Sequence, residues 1–389
     1  MKKWAADRLG KLLFTSHNSL TSNTKNMSEL LLRLALQFQP HLGPTTIKKL
    51  FQHFGSATAI FAAHGLKSPL GARVTLPQLT DESRRLAEKE LEWIERNHIR
   101  LCFLGDPEYP KRLSGCPDAP YMFYYKGTPA FNEPKMVAVV GTRNISPYGK
   151  EVTRKIIEEL AQYEVCVVSG LARGVDTVAH EQSLESGLKT VAVLGSGLGT
   201  IYPDCNERLA HRIAKDGGAV VSEFPFKTKP DRQNFPQRNR IIAGMTDATI
   251  VMETAEKGGS IITAHIAHSY NRDVFAVPGS ILSPTQSGCH ALIRKNVAAL
   301  VTSGADVAEL MGWDLESPKA VQRSLFVELS EEEQPVADLI AEHPDILIDD
   351  LSSAFPQHTP SKLASLLLQL ELKGVVACAP GKKYRIVGA

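Results

Sequence analysis

The sequence predicts an α/β protein organised on a doubly wound, mostly parallel sheet, with a small helical unit before it and a winged-helix-like unit after it. Three observations predict this. From Met136 to about Val301, short apolar runs alternate with longer amphipathic segments, as in repeated strand–helix–strand units. The runs are continuously apolar, which suits strands buried on both faces. The residues with recognisable chemistry follow the ends of those runs, where doubly wound sheets bind their ligands.

In chain order, residues 1–26 become Ser/Thr/Asn-rich after Asp7, Arg8 and Lys11 interrupt the first apolar stretch. They read as a disordered extension, not as a signal-peptide core, and Met27 reads as an alternative functional start. A helical unit is expected over 27–97. Leu30-Leu-Leu-Arg-Leu-Ala-Leu36 predicts a first helix from Ser28 that stops before Pro40, and Leu42-Gly-Pro-Thr-Thr46 opens a second with Ile47, Leu50, Phe51 and Phe54 at helical spacing. With Lys48 and Lys49, these two helices fit either a helix-hairpin-helix that holds phosphate on its turn amides or a plain SAM-like bundle with solvated lysines. A further helix over about 81–97 completes the unit.

The central unit is expected over 98–315. Ile99–Phe103 reads as an extra strand, and the proline, glycine and aromatic residues crowded between Asp106 and Pro134 read as an ordered wrap. Met136–Val140 is a buried strand ending at Gly141, and Pro147 suits the first turn of a helix reaching about Tyr163. Further strands are expected near Val165–Ser169, Thr190–Leu194, Ala219–Ser222, Ala248–Met252, Asp273–Val277 and Ala299–Val301. A linker is expected at 316–327 and the winged-helix-like unit at 328–389. There, Ser330 and Glu333 form a capping box, a second helical segment stops before Pro356, and Thr359-Pro360 starts a helix with Leu363, Leu366, Leu367 and Leu370 on one face. A hairpin of 375–378 and 383–387 closes the outline. Nine carboxylates and no lysine or arginine occupy Glu328 to Asp350, which repels a phosphate backbone.

The chemistry begins at Gly141-Thr142-Arg143. A strand feeding a glycine turn and a helix start aims amide groups and a positive dipole end at one spot, and Arg143 adds a forked charge suited to phosphate. The competing reading is a turn glycine beside a solvated arginine. Gly258-Gly259-Ser260, with Lys257 beside it, reads either as a second phosphate turn or as a helix cap. Between Lys227 and Arg240, the cations Lys227, Lys229, Arg232, Arg238 and Arg240 face one carboxylate, Asp231, and are interleaved with Phe224, Phe226 and Phe235. That combination holds single-stranded nucleic acid, with cations on the backbone and aromatic faces on bases; alternatively the phenylalanines are core. Gly195-Ser-Gly-Leu-Gly199 lacks the G-x-G-x-x-G spacing of a dinucleotide site. Asp176 and His180 lie one helical turn apart, a spacing open to acid–base work but more often structural.

Composition narrows the classes. With 389 residues, 43% hydrophobic, the chain can bury a full core, and a formal net charge of +2 means that nucleic-acid contact must come from a local patch. The six cysteines are scattered without a metal-binding or redox spacing, as expected of a reduced, cytoplasmic setting. No membrane span, metal site, cofactor or catalytic residue is assigned.

The motifs Gly141-Thr-Arg143, Ser169-Gly-Leu-Ala-Arg-Gly-Val-Asp176 with Ala179-His180, Phe235-Pro-Gln-Arg-Asn-Arg-Ile-Ile-Ala-Gly244, Gly259-Ser260 with Thr263-Ala264, and Ala276-Val-Pro-Gly279 resemble those of the DNA processing protein A (DprA/Smf) family. The resemblance spans about Tyr109 to Gly304. It implies an extended Rossmann-like domain that binds and protects single-stranded DNA and helps load the RecA recombinase during natural transformation. It further implies a homodimer through the central domain and a C-terminal winged-helix-like domain that varies among members. Its basic pocket carries over to Arg143, Arg173, Arg238, Arg240 and Lys257, with Gly141, Thr142, Gly170, Asn239, Gly258, Gly259 and Ser260 in the same motifs. Members often carry Ser-Gly-Ser where this chain has Gly258-Gly-Ser260. Two other classes compete. A nucleotide phosphoribohydrolase of the LOG-like type needs a carboxylate on the helix after that turn, where residues 260–270 have none. A transcription regulator acting through the winged helix is opposed by the acidic run.

Overall fold

The computed structural model describes residues 20–71, 74–313, 329–379 and 381–387, with the backbone alone for 20–28. The expected linker at 316–327 and the first nineteen residues of the expected extension lie outside them. Two compact units form, one from residues up to Leu101 with Pro120–Met122, the other from the remainder.

In the first unit, α1 (Leu20–Gln37) begins eight residues upstream of Ser28, inside the stretch expected to be disordered. Once an apolar segment nucleates a helix, each added residue gains a backbone bond without a new nucleus. Pro44 opens α2 (Pro44–Phe54), closed by Gly55 at φ +77°, and α3 (Ala57–Ala62) and α4 (Asp81–Arg96) follow. Phe51 stacks on Tyr121 with centroids 4.4 Å apart. Glu29 caps α3 from a distance: its carboxylate accepts the amides of Ala57 (2.7 Å) and Thr58 (3.0 Å) and the Thr58 hydroxyl (2.7 Å). Burial pushes this carboxyl up, but the bonds from Thr58 and Ala57 outweigh it and hold the group below its ordinary value. A depressed folded value stabilises the protein above the unfolded value and loses that stabilisation as pH falls through the folded one. Protection of the Ala57 and Thr58 amides from hydrogen exchange is therefore expected to fall on acidification through and below the ordinary carboxylate range. In Glu29→Gln it should be weak at every pH; an unchanged profile would contradict the cap.

The second unit contains a nine-stranded sheet. Its elements are β1 (Arg100–Phe103), α5 (Lys111–Ser114), β2 (Met122–Gly127), β3 (Met136–Val140), α6 (Pro147–Leu160), β4 (Cys166–Ser169), α7 (Val175–Glu185), β5 (Thr190–Leu194), α8 (Glu207–Lys215), β6 (Ala219–Ser222), α9 (Asn234–Gly244), β7 (Ala248–Val251), α10 (Gly259–Ser269), β8 (Asp273–Ala276), α11 (Ser287–Arg294), β9 (Ala299–Leu300) and α12 (Gly304–Leu310). β2, within the expected wrap, was not foreseen as a strand. Its residues 122–125 are all buried, so it shows no alternation, and Pro120 and Gly127 bound it closely. It pairs antiparallel with β6, while β3 to β9 are parallel wherever they pair.

The strand order is β1-β2-β6-β5-β4-β3-β7-β8-β9. After β3 the chain winds outward through β4, β5 and β6, then returns to place β7 on the other side of β3. The switch point thus lies between β3 and β7. Along β3, Met136, Ala138 and Val140 enter one core layer with Ile241, Ile242, Ala264 and Leu292, while Val137 and Val139 enter the other with Ile156, Val175, Ala179 and Val307. Helices therefore cover both faces, which is why the strands read as unbroken apolar runs.

Residues 329–387 form α13 (Glu333–Glu342), β10 (Ile346–Leu347), α14 (Ile348–Ala354), α15 (Pro360–Leu372), β11 (Val376–Ala379) and β12 (Lys383–Ile386), with a β10-β12-β11 antiparallel sheet. The capping box is present: Ser330 N–H donates to Glu333 Oε2 (2.7 Å) and Glu333 N–H to Ser330 Oγ (3.3 Å). The hairpin tip meets the end of the central sheet where strands begin. Gly381 N–H donates to Asp273 Oδ2 (3.1 Å), and Lys383 Nζ lies 3.5 Å from Asp247 Oδ1. Asp247 also accepts Arg112 Nε (2.6 Å) and the Met136 amide (2.9 Å). Lys383 of the hairpin thus faces the protein's own carboxylate.

Candidate nucleic-acid interface

The loops after β3, β4, β5, β6 and β7 lie at the carboxyl end of the sheet, and backbone contacts stitch them together. Thr142 N–H donates to Glu253 O (2.7 Å), and Val175 N–H to Thr142 O (3.1 Å). Gly174 sits at φ +80°, and a Cβ there would stand 2.2 Å from Thr142 O, so glycine lets the β4–α7 loop rest on the β3–α6 loop. Arg143 and Arg173, both exposed, thereby stand on adjoining loops.

Arg143 lies over the Phe235 ring, its guanidinium carbon 4.9 Å from the centroid, and Tyr202 tilts against the same ring at 6.1 Å. Phe235 rests on Gly195, where a Cβ would come within 2.9 Å of the ring. Gly197 N–H donates to Thr228 O (2.9 Å). A Cβ on Gly197 would meet Pro225 O at 2.1 Å, and one on Gly199 the Phe226 ring at 1.6 Å. The glycine run that superficially suggests a dinucleotide loop is therefore a seat for the β6–α9 loop. That loop carries Lys227, Lys229 and Arg232 into solvent, with Phe226 as its anchor.

At the β7–α10 turn, Lys257 and Gly259 are exposed and Gly258 is the helix cap without a side-chain bond. Ser260 is buried and donates to Thr254 Oγ1 (2.7 Å), so it does not cap the helix as one reading supposed. A Cβ on Gly259 would meet nothing within 4 Å, which leaves the α10 N-terminus open to an anion.

Other candidates are committed inside the protein. The N-terminus of α6, expected to take an external anion, holds Glu253: Ser146 donates to Glu253 Oε2 through its amide (3.0 Å) and hydroxyl (2.9 Å). The positive end of that helix is thus met by a buried carboxylate. Gly141 is needed for Val175, whose side chain a Cβ would meet at 2.4 Å, and Gly170 for the Arg238 guanidinium, at 2.3 Å. Arg238 itself is only 4% exposed and donates to the carbonyls of Gly170 and Val193. Burial pulls it down to about 10, with Asp176 opposing and Arg143 adding to the shift, so it stays charged at neutral pH. Arg240 donates to both Glu223 oxygens, at 2.6 Å for Oε1, and to Asp118 O. Asn239, between them on α9, is half-buried. These placements correct the expectation that Arg238 and Arg240 meet phosphate. A helix turns about 100° per residue, so Arg238 and Arg240, two positions apart, lie about 200° apart and cannot share one face.

Asp176 and His180 are buried on α7. His180 Nδ1 pairs with Thr190 Oγ1 (2.7 Å), and burial together with Arg238 lowers the imidazole to about 3, so it remains neutral. Asp176 accepts the Ala172 amide (3.3 Å) and balances the charge of Arg238, so both members of the pair are structural. Two residues were missed in the sequence: Tyr202, whose position after the glycine run gave the only signal, and Glu253, a carboxylate directly after a strand end. Among the described residues no group of His, Cys, Asp or Glu could hold a metal ion, and no helix is long and apolar enough to cross a membrane.

Residues 100–312 match the family model of DNA recombination-mediator protein A. The chain belongs to the DprA/Smf family. DprA/Smf relatives extend the likeness: Protein Smf of Escherichia coli (strain K12) is 37% identical over 310 residues, covering 78% of this chain and 82% of that one. The X-ray structure of DNA processing protein A from Streptococcus pneumoniae superposes with a TM-score of 0.60 at 35% identity, covering 72% of this chain and 95% of that one. A structure of the Helicobacter pylori DNA processing protein A, concerned with that protein's single-stranded DNA binding mode, aligns with a TM-score of 0.49 at 29% identity over 55% of this chain and 95% of that one. The DprA/Smf match takes in every rim loop from Gly141 to Ser260 and stops before the C-terminal three-stranded unit.

Proposed function

We propose that this DNA recombination mediator binds and protects single-stranded DNA along the carboxyl rim of its sheet and helps load RecA recombinase onto it during natural transformation, without catalysis of its own. The observation that carries the reading is the Arg143–Phe235–Tyr202 stack, flanked by exposed Arg173, Lys227, Lys229, Arg232 and Lys257. Cations on neighbouring loops suit a flexible phosphate backbone, and aromatic faces accept bases of any identity. The open α10 amides beside Lys257 add a phosphate seat. By the family resemblance, the protein acts in the cytoplasm as a homodimer through the central unit, and 329–387 is a winged-helix-like module.

Fluorescence anisotropy with a labelled single strand, titrated at several salt concentrations, tests this. If about five rim cations meet phosphates, log K against log salt should fall with a slope near −3 to −4, at roughly 0.7 per contact. A duplex of the same sequence should bind more weakly, because its stacked bases cannot reach Phe235 and Tyr202. Salt-independent binding, or a preference for duplex, would overturn the proposal. The phosphoribohydrolase reading gains no support: α10 carries no carboxylate, and Glu253 is enclosed at the α6 N-terminus.

A further inference from the structure

The loop that follows β8 carries the two most exposed large hydrophobic side chains among the described residues, Ile281 and Leu282, each 87% exposed. Exposed aliphatics scattered singly are ordinary, but this adjacent pair stands on a braced turn. Leu282 N–H donates to Ser280 Oγ (3.3 Å) and Ser283 N–H to Ser280 O (3.0 Å), so the turn closes on itself. Its stem is tied as well: the Tyr148 hydroxyl donates to Pro278 O (2.6 Å), His290 Nε2 meets Gly279 O at 3.1 Å, and Gln286 N–H donates to Ser283 O (3.1 Å). The loop is also fixed to the β7–α10 turn that holds Lys257 and Gly259, because Glu256 N–H donates to Ser287 Oγ (3.2 Å) and Gly288 N–H to Thr254 O (2.8 Å). β7 and β8 pair in parallel, with Val251 opposite Ala276, so this loop is the next one along the rim, about 4.8 Å on at the usual strand spacing.

We propose that Ile281 and Leu282 form a wedge that enters between two bases of the bound single strand, next to the phosphate seat at Lys257. The proposal rests on the rim binding single-stranded DNA and adds how the strand is held there. Across the sheet, the rim carries Phe235 after β6, Tyr202 after β5, Arg143 after β3, Lys257 and the open α10 amides after β7, and then the aliphatic pair after β8. A strand crossing the rim in that order has a phosphate fixed beside the pair, and aliphatic side chains inserted at a step part its bases. Parting them is least costly in a strand with no pairing to lose. Between Asp273 and Arg294 the chain has no Asp, Glu, Lys or Arg, so the loop neither repels phosphate nor offers a charged protein an ion pair. A second copy is the poorer occupant. Two side chains cover far less than the roughly 800 Å² per partner that a stable protein interface buries, whereas a wedge needs no more than two.

The test uses the full chain, its variant Ile281→Ser/Leu282→Ser, and single strands with an adjacent pair of 2-aminopurines, which emit weakly when stacked and brighten when parted. Wild type is expected to brighten the pair severalfold on binding, and the serine variant to leave it dim. Because both side chains are exposed, the variant should keep the wild-type melting temperature. By anisotropy it should bind about tenfold more weakly at every salt concentration, with the slope of log K against log salt unchanged, since apolar contact and no charge is removed. Loss of the Arg143 and Arg173 charges flattens that slope, so the two effects separate. A wild type that binds no single strand would overturn the rim reading and this one together. With binding intact, three results would overturn the wedge alone: no brightening by wild type, brightening that the serine variant keeps, or self-association in sedimentation that the serine variant abolishes.

Discussion

Replacing Arg238 with alanine is expected to destabilise the central unit by about 3–5 kcal/mol, the cost of removing one partner from a buried charged network. Its guanidinium satisfies the carbonyls of Gly170 and Val193 and offsets the charge of buried Asp176, whose carboxyl burial pushes up and Arg238 draws back. Without it, two carbonyls at the ends of β4 and β5 lose a donor and Asp176 is left uncompensated. Arg238→Lys should recover only part of the loss, because a single ammonium cannot reproduce the fork. Urea denaturation measures this directly. A change below about 1 kcal/mol would mean that the rim does not depend on this support, since that is the range of ordinary substitutions. Any loss of DNA binding in this variant should follow its loss of structure.

The opposite separation is expected for Arg143→Ala/Arg173→Ala. Both side chains are exposed, so stability should change by no more than about 0.5 kcal/mol. Single-strand affinity should drop about a hundredfold at low salt, at roughly 1.5 kcal/mol for each charge-assisted contact. The salt slope should become shallower by about 1.4, two contacts at 0.7 each. The loss should be the same for pyrimidine-rich and mixed strands, because phosphate contacts carry no sequence information. Arg143→Lys alone should also weaken binding, since a lysine keeps the charge but not the planar stack on Phe235. A loss confined to certain base sequences would argue against this assignment.

The fold was legible because the parallel strands are buried on both faces and read as unbroken apolar runs, and because Pro147 and Pro360 mark helix starts that the backbone uses. β2 escaped for a related reason: a fully buried antiparallel strand between a proline and a glycine shows neither alternation nor a helix partner. Part of the candidate site was legible too. Arg143 and Phe235 were chosen for their chemistry, and the structure places them in contact although 92 residues separate their positions, 143 and 235.

What the sequence could not show was which charged residues the fold consumes. Arg143 and Arg238 look alike in the chain, yet one lies over an aromatic ring in solvent and the other holds two strand ends together. The glycines divide in the same way. Gly259 leaves open space at a helix start, whereas Gly141, Gly170, Gly197 and Gly199 make room for neighbouring side chains and loops. Glu253 decides the fate of the first turn, since it fills the α6 N-terminus from a strand more than a hundred residues later in the chain, an arrangement that no local motif encodes.

The most direct test of the central claim is to crosslink a single strand containing 5-bromouracil to the protein with ultraviolet light and to map the modified peptides by mass spectrometry. Adducts are expected on the peptides holding Tyr202 and Phe235, suppressed in Arg143→Ala/Arg173→Ala. Adducts concentrated instead in residues 29–97 or 329–387, with the rim peptides unmodified, would contradict it.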